Sequence, residues 1–221
     1  FAVTLTDLRH NRVYEVFEGK NSKVLEANLR RLKGREEVKV ICMDLSSPFR
    51  SIVQRLFPRA KIVADRFHVI RLIIDTFHEF CKAADPEIKW KRGITCALRT
   101  KGANLKPVQR LLLEKEFKQH PSIQTAYEFK ESLCSLLSIK ERKRANCLPL
   151  IERLKEMVWQ MLHEAPEIFK KLGRTIRQWF EPIIRMWRFT KSNGITEGFH
   201  RKMKLIQRRA YGYRNFQNYR L

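Results

Sequence analysis

The stretch VKVICMDLSSPFRSIVQRLFPRAKIVADRFHV, Val38–Val69, decides the fold of this chain. It contains two short apolar runs, Val38–Met43 and Ala60–Ala64, whose β-branched residues predict buried strands. Between them, a serine cap signal, Pro48 and apolar residues at helical spacing predict an amphipathic helix. A strand–helix–strand order of this length predicts a βαβ unit with parallel strands.

Each apolar run is followed by an aspartate, Asp44 after the first and Asp65 after the second. Because parallel strands end at the same side of a sheet, we expect both carboxylates at its carboxyl edge. Open α/β sheets place their chemistry at that edge. Asp44 and Asp65 are therefore the first candidate site residues.

The remaining sequence predicts three regions. Alternating residues in Phe1–Leu8 and Arg12–Glu18 predict an antiparallel hairpin, so we expect residues 1–84 to form the first part of an α/β core. Residues 85–187 show no strand pattern, and prolines separate their helical patterns, which predicts an all-α insertion. Residues 188–221 form a terminal segment with one helix and a tail of basic and aromatic residues.

Composition favours a nucleic-acid partner. The 221 residues carry 46 Lys and Arg against 23 Asp and Glu, a net charge of +23, which indicates a polyanionic partner. We expect no transmembrane helix and no signal peptide, because no apolar run is long enough and the start lacks a basic segment. The five scattered cysteines predict buried thiols in a reducing compartment. Since residue 1 is Phe, we expect a piece of a longer protein.

The last part of the chain, from Arg185 to Leu221, contains ten basic residues and a single acid, Glu197. A helix from about Ile195 to Ala210 would place Ile195, Phe199, Met203 and Ile206 on a buried stripe. Basic residues mixed with aromatics suit phosphate contact and base stacking. The candidate DNA-binding residues are Arg201, Lys202, Lys204, Arg208, Arg209, Tyr211, Tyr213 and Arg214.

Glu197 admits two interpretations. It can be an exposed partner of Arg201, four residues on, which would be worth a few tenths of a kcal/mol. Alternatively, two carboxylates at a sheet edge and a third on a late helix can hold two divalent metal ions. Oxygen ligands with open positions favour Mg²⁺ or Mn²⁺.

Three blocks carry a family resemblance. Three stretches of the chain resemble, in order, blocks of bacterial insertion-sequence transposases of the DDE type. They are VKVICMDLSSPFR, AKIVADRFHVIRL and SNGITEGFHRKMKLIQRRAYGYRNFQNYRL. The branch is the one with an Asp-Arg-Phe-His-Val block and an Arg-Arg-Ala-Tyr-Gly block. The resemblance implies a ribonuclease-H-like mixed sheet with a large all-α insertion. It makes Asp44 and Glu197 the catalytic metal ligands, and Asp65 and His68 supporting residues. A capping or packing role for His68 stays open.

One part of the family pattern is missing. The first catalytic aspartate of the family lies on a strand before the hairpin, and this sequence has no such block. Asp7 matches an ordinary turn position of the family instead. We therefore expect a mixed sheet without its first strand, and little or no activity from this chain alone.

The resemblance implies DNA transposition by metal-dependent strand cleavage and strand transfer on element ends and target DNA. It also implies a homodimer or larger assembly when active, and a location in the bacterial cytoplasm, at the nucleoid. Two alternatives stay open: a truncated, catalytically inactive remnant that only binds DNA, and an RNA-guided or repair nuclease with the same kind of metal site.

Overall fold

A computed structural model describes residues 2–18, 21–189, 194–210, 212 and 215; for residue 2 and residues 194–197 it describes the backbone only. The described chain is a mixed α/β structure, mostly helical, with two small sheets. It divides into an α/β unit, Phe1–Phe67 with Lys191–Leu221, and a helical unit, His68–Thr190. The limits 1–84, 85–187 and 188–221 that the sequence suggests stay a prediction.

The α/β unit begins with the expected antiparallel hairpin. Strand β1 (Ala2–Asp7) pairs with β2 (Arg12–Glu18), and the register shifts once, between Leu5 and Thr6. The turn between the strands is closed by Asp7, whose carboxylate accepts hydrogen bonds from the backbone of Arg9 and His10. Asp7 is therefore a turn residue, as the sequence predicts.

Two helices of the α/β unit are joined by an ion pair. Helix α1 (Ser22–Arg30) begins after Asn21, whose side chain caps it, and ends four residues before Gly34, earlier than expected. Helix α2 (Ser47–Leu56) buries the apolar face predicted for it. Glu26 on α1 pairs with Arg55 on α2 at 2.7 Å.

The opening stretch forms the predicted βαβ unit. Strands β3 (Val40–Met43) and β4 (Lys61–Ala64) are parallel, with α2 between them. β4 is buried, but the prediction of a buried β3 was wrong: Val40 is 38% exposed, and of the four residues only Met43 is buried. The reason is that, among the described residues, β3 has a neighbouring strand on one side only.

The helical unit has no strand among its described residues. Helix α3 (Arg66–Ala84) begins with the last two residues of the α/β unit and continues into the helical unit. The helices that follow are, in order, α4 (Arg92–Arg99), α5 (Pro107–Gln119), α6 (Pro121–Ser138), α7 (Leu148–His163), α8 (Glu167–Gln178) and α9 (Phe180–Arg188). Trp179 and Trp187 are fully buried in its core. The Trp187 indole donates to the Leu136 carbonyl at 2.9 Å, which ties α9 to α6.

Helix α10 (Gly194–Arg209) returns to the α/β unit and contacts β1. The buried stripe predicted for it is wrong at Ile206, which is 46% exposed. The side chain of Ile195 lies outside the described residues. Phe199 and Met203 are half-buried. The contact with β1 involves the first half of α10, where His200 lies 3.0 Å from the Thr4 hydroxyl, so the later turns face solvent.

Burial changes the acidity of several groups in the helical unit. It raises the pKa of the Cys81 thiol to about 12, that of Cys134 to about 11 and that of the Tyr127 hydroxyl to about 12. The prediction that all cysteines are buried holds for Cys81 and Cys147. It was wrong for Cys96, which is exposed on α4, and Cys42 and Cys134 are only half-buried.

These shifts predict that the chain becomes less stable in alkali. The folded-state pKa values lie above the unfolded values of 9.0 and 10.0, so the stabilisation is complete below about pH 9 and is lost as pH rises towards 12. We expect the free energy of unfolding, measured with urea, to be lower at pH 10.5 than at pH 8. The difference should be smaller in Cys81→Ala, and an equal difference in both proteins would contradict the assignment.

Candidate functional site

The two candidate aspartates lie side by side. Met43 pairs with Ala64 in the parallel register, so Asp44 and Asp65 are the next residues at the carboxyl edge of β3 and β4. The backbone N–H of Asp65 donates to the Met43 carbonyl at 2.8 Å, which continues the ladder to this edge. Asp44 is exposed, whereas Asp65 is fully buried. One residue is therefore open to solvent, and the other lies within the fold.

His68 completes a group of possible metal ligands. Helix α3 begins directly after Asp65, so its first turn carries His68 beside the aspartates. One ligand atom from each of Asp44, Asp65 and His68 lies within 4.8 Å of the others. Two carboxylates and an imidazole suit a divalent cation such as Mg²⁺ or Mn²⁺, with imidazole favouring Mn²⁺ of the two. These residues therefore fit the metal that the sequence predicts.

A cation lies next to this group. Burial lowers the pKa of the Arg66 guanidinium, and the neighbouring Asp65 carboxylate opposes that shift. Arg66 is half-buried at the start of α3. The edge thus combines two carboxylates with a guanidinium, which is the type of side chain that pairs with phosphate oxygens.

Glu197 lies on the first turn of α10, and its side chain is outside the described residues. The helix itself is located by His200, one turn further on, whose Nε2 is 3.0 Å from Thr4 Oγ1 on β1. The helix that carries Glu197 therefore packs on the hairpin of the same unit. That Glu197 joins Asp44 in one metal site stays a prediction.

The predicted DNA-binding residues of α10 are accessible. The cations that the structure describes on this helix are all exposed, namely Arg201, Lys202, Lys204, Arg208 and Arg209. Tyr211, Tyr213 and Arg214 lie outside the described residues. Exposed cations are thus present on α10, and their role in binding phosphates, like the stacking role of the tyrosines, stays a prediction.

A second group of possible ligands, Asp85, Glu116 and His120, lies in the helical unit. The Lys91 ammonium lies between its carboxylates, 2.9 Å from Asp85 and 3.2 Å from Glu116. The hydrogen bond from Lys91 lowers the pKa of Asp85, and Asp85 in turn raises the pKa of Lys91. The lysine occupies the place a metal ion would take, so we interpret this group as a structural ion-pair network.

Sequence reasoning missed this network and the contact of His200 with Thr4. The residues of the network are separated by up to 35 positions along the chain, from Asp85 to His120. The one local signal was Asp85 before Pro86, where the aspartate caps a short 3-10 helix, Pro86–Lys89. That signal predicts a cap and says nothing about Lys91 or Glu116.

No helix in the described part of the chain is both long enough and apolar enough to cross a membrane.

Comparison with known proteins identifies the family. The family model for transposases of the DDE type, in the ISL3 group, matches residues 1–221, and the chain therefore belongs to that transposase family. It is also similar to the transposase for insertion sequence element IS1001 of Bordetella parapertussis, with 21% identity over 231 residues that cover 97% of this chain and 54% of that protein. The chain thus spans about half the length of this relative. No solved structure gives a significant match.

Proposed function

We propose that this chain is part of the catalytic domain of a DDE transposase, which cleaves DNA at element ends and joins the 3′-hydroxyl to target DNA. The observation that carries the proposal is the pair Asp44 and Asp65 at one sheet edge, with His68 within ligand distance. Because the chain matches the transposase family over its whole length, we interpret this carboxylate pair as part of a catalytic metal site.

In this proposal Asp44 and Glu197 are ligands of Mg²⁺ or Mn²⁺, together with an aspartate outside this sequence. When bound, such a metal pair activates a water or hydroxyl and stabilises the leaving oxygen in an in-line phosphoryl displacement. The exposed Asp44 contributes its carboxylate directly. The buried Asp65 and the half-buried His68 orient that carboxylate, as outer partners of metal ligands commonly do.

We further propose that the α/β unit is a ribonuclease-H-like core. Its described strands form two separate pairs, the antiparallel β1–β2 and the parallel β3–β4. A further strand between β1 and β3 would unite the pairs into one mixed sheet and would bring a carboxylate to the edge that holds Asp44. This supports the expectation that the first catalytic aspartate lies on a strand that this sequence lacks.

The partner in this proposal is DNA, bound at element ends and at the target. The five exposed cations of α10 would hold phosphates next to Glu197. The net charge of +23 would hold DNA through many such contacts and make binding strongly salt-dependent. A homodimer or larger assembly and a location at the nucleoid remain predictions.

Glu197→Gln tests the proposal in a protein extended upstream to include the missing aspartate. We expect Mg²⁺-dependent strand transfer to fall by at least about a hundredfold, because even outer partners of a metal site cost about 10- to 100-fold. DNA binding should persist, since glutamine keeps the shape of the side chain.

Glu181→Gln is a matched control, because Glu181 is an exposed helical glutamate whose partner, Arg185, is four residues on. If Glu197 only paired with Arg201, both substitutions would leave strand transfer unchanged, and the assignment would be wrong. Salt-sensitive DNA binding by the extended protein without any cleavage would favour the remnant.

A further inference from the structure

A continuous stretch of the helical unit carries only positive charge. Residues 88–113, from Ile88 through α4 to Leu113 in α5, contain seven cations and no Asp or Glu. The remainder of the helical unit has seventeen cations and fourteen acids, so mixed charge is the rule there. A surface that served only solubility would be expected to carry acids among its cations, as the remainder of the unit does.

Most of this charge faces solvent. Lys91 is the exception, since it is bound to Asp85 and Glu116. The nearby carboxylate of Glu131 on α6 accepts from the Gly102 N–H and is paired with Lys130 at 2.8 Å. The six exposed cations are Lys89, Arg92, Arg99, Lys101, Lys106 and Arg110.

Helices α4 and α5 form an antiparallel hairpin that holds these cations in place. A Cβ atom on Gly93 would lie 3.3 Å from Leu112, Gln109 lies 3.8 Å from the Cys96 sulfur, and Lys91 reaches Glu116. The ion-pair network thus anchors the open end of the hairpin. A helix of eight residues is about 12 Å long, which is the reach of several phosphates along a DNA strand.

An exposed tryptophan accompanies the cations. Trp90 is 76% exposed, and the Lys89 ammonium lies 5.1 Å from its ring centroid. Trp159 in α7 is also exposed, but it stacks on His163 in a helix of mixed charge. An indole among exposed cations suits stacking on a base whose phosphate is bound nearby.

We infer that residues 88–113, the acid-free part of the α4–α5 hairpin, are a second DNA-binding surface, in addition to α10, for DNA with an unpaired segment. Its exposed cations bind phosphates, and Trp90 stacks on an unpaired base. The inference rests on the proposed function in taking DNA, rather than RNA, as the polyanion.

The first test removes charge from the hairpin. Arg99, Lys101 and Lys106 are replaced together by glutamine, and a control protein has Lys155, Lys171 and Arg177, exposed cations of the mixed-charge region, replaced likewise. Binding to a labelled duplex with a single-stranded overhang is measured by fluorescence anisotropy in EDTA over a salt series. Each phosphate contact adds about 0.7 to 0.9 to the slope of log K against log salt, so the hairpin variant should lose about 2 to 3.

The second test removes the indole. Trp90→Ala should weaken binding to the overhang DNA by about 5- to 100-fold and leave blunt duplex binding unchanged. Trp159→Ala should change neither. Thermal melting of each variant checks that the fold is intact.

The outcomes distinguish failure of the proposed function from failure of this inference alone. If the unmodified chain binds no DNA in this assay, the proposed function and the inference both fail. If it binds DNA but the hairpin and control variants lose the same salt slope, or if it prefers RNA of the same sequence, the inference alone fails. A larger loss in the hairpin variant, with overhang-specific loss in Trp90→Ala, supports it.

Discussion

Replacing Asp44 by asparagine, in a transposase that includes its first catalytic aspartate, is expected to lower DNA cleavage by at least about a thousandfold. Asparagine keeps the shape of the side chain but removes the negative charge that a divalent cation requires. DNA binding in EDTA should not change, because Asp44 is an acid and makes no favourable contact with phosphate. The measurement is the single-turnover cleavage rate in Mg²⁺ and in Mn²⁺.

Two further aspartates give this prediction its controls. Asp65→Asn should lower the cleavage rate less, by about 10- to 100-fold. The reason is that the buried Asp65 is proposed to orient the metal ligand Asp44 and not to bind the metal itself. Asp7→Asn should leave cleavage within about threefold, since Asp7 closes the hairpin turn through Arg9 and His10. An Asp7→Asn protein as inactive as Asp44→Asn would make Asp7 a catalytic ligand instead.

Replacing Lys91 by methionine is expected to destabilise the helical unit by about 2–3 kcal/mol. The substitution leaves the carboxylates of Asp85 and Glu116, which are 8% and 2% exposed, without their ammonium partner. Breaking a buried ion pair costs about 3–5 kcal/mol, and the lower figure applies because Lys91 is 32% exposed and solvent screens it in part.

The measurement is urea unfolding followed by the fluorescence of the buried Trp179 and Trp187. Lys89→Met is the matched control, because Lys89 is exposed and two residues away, and it should change stability by less than about 0.5 kcal/mol. The double variant Lys91→Met, Glu116→Gln should be more stable than Lys91→Met alone, since it buries one charge fewer. Equal stability of Lys91→Met and the unmodified chain would show that the network contributes nothing.

The βαβ unit could be predicted from the sequence because its signals are local. Strand period, helix period and the spacing of Val38–Val69 are enough to define two parallel strands, and the position of Asp44 and Asp65 then follows from strand direction. The hairpin β1–β2 and helix α10 were predicted on the same grounds. The structure bears out these elements, and the whole-chain match confirms the transposase family.

The features that the sequence did not predict correctly depend on contacts between residues that are far apart in the chain. The apolar run of β3 does not show that, among the described residues, this strand has a neighbouring strand on one side only. The apolar residues of α10 do not show where the contact with β1 stops. The partners of Lys91 lie 6 and 25 positions away, in different elements. Only tertiary packing brings them together, so no local pattern could have predicted the network.

The most direct test of the metal site is the anomalous scattering of Mn²⁺ in crystals of the protein extended upstream to include the missing aspartate. The chain offers its own comparison, because it has two groups of possible ligands. We expect a Mn²⁺ peak beside Asp44 and Asp65, and none at Asp85 and Glu116, between which the Lys91 ammonium lies. A peak at the second group, or none beside Asp44 at millimolar Mn²⁺, would contradict it.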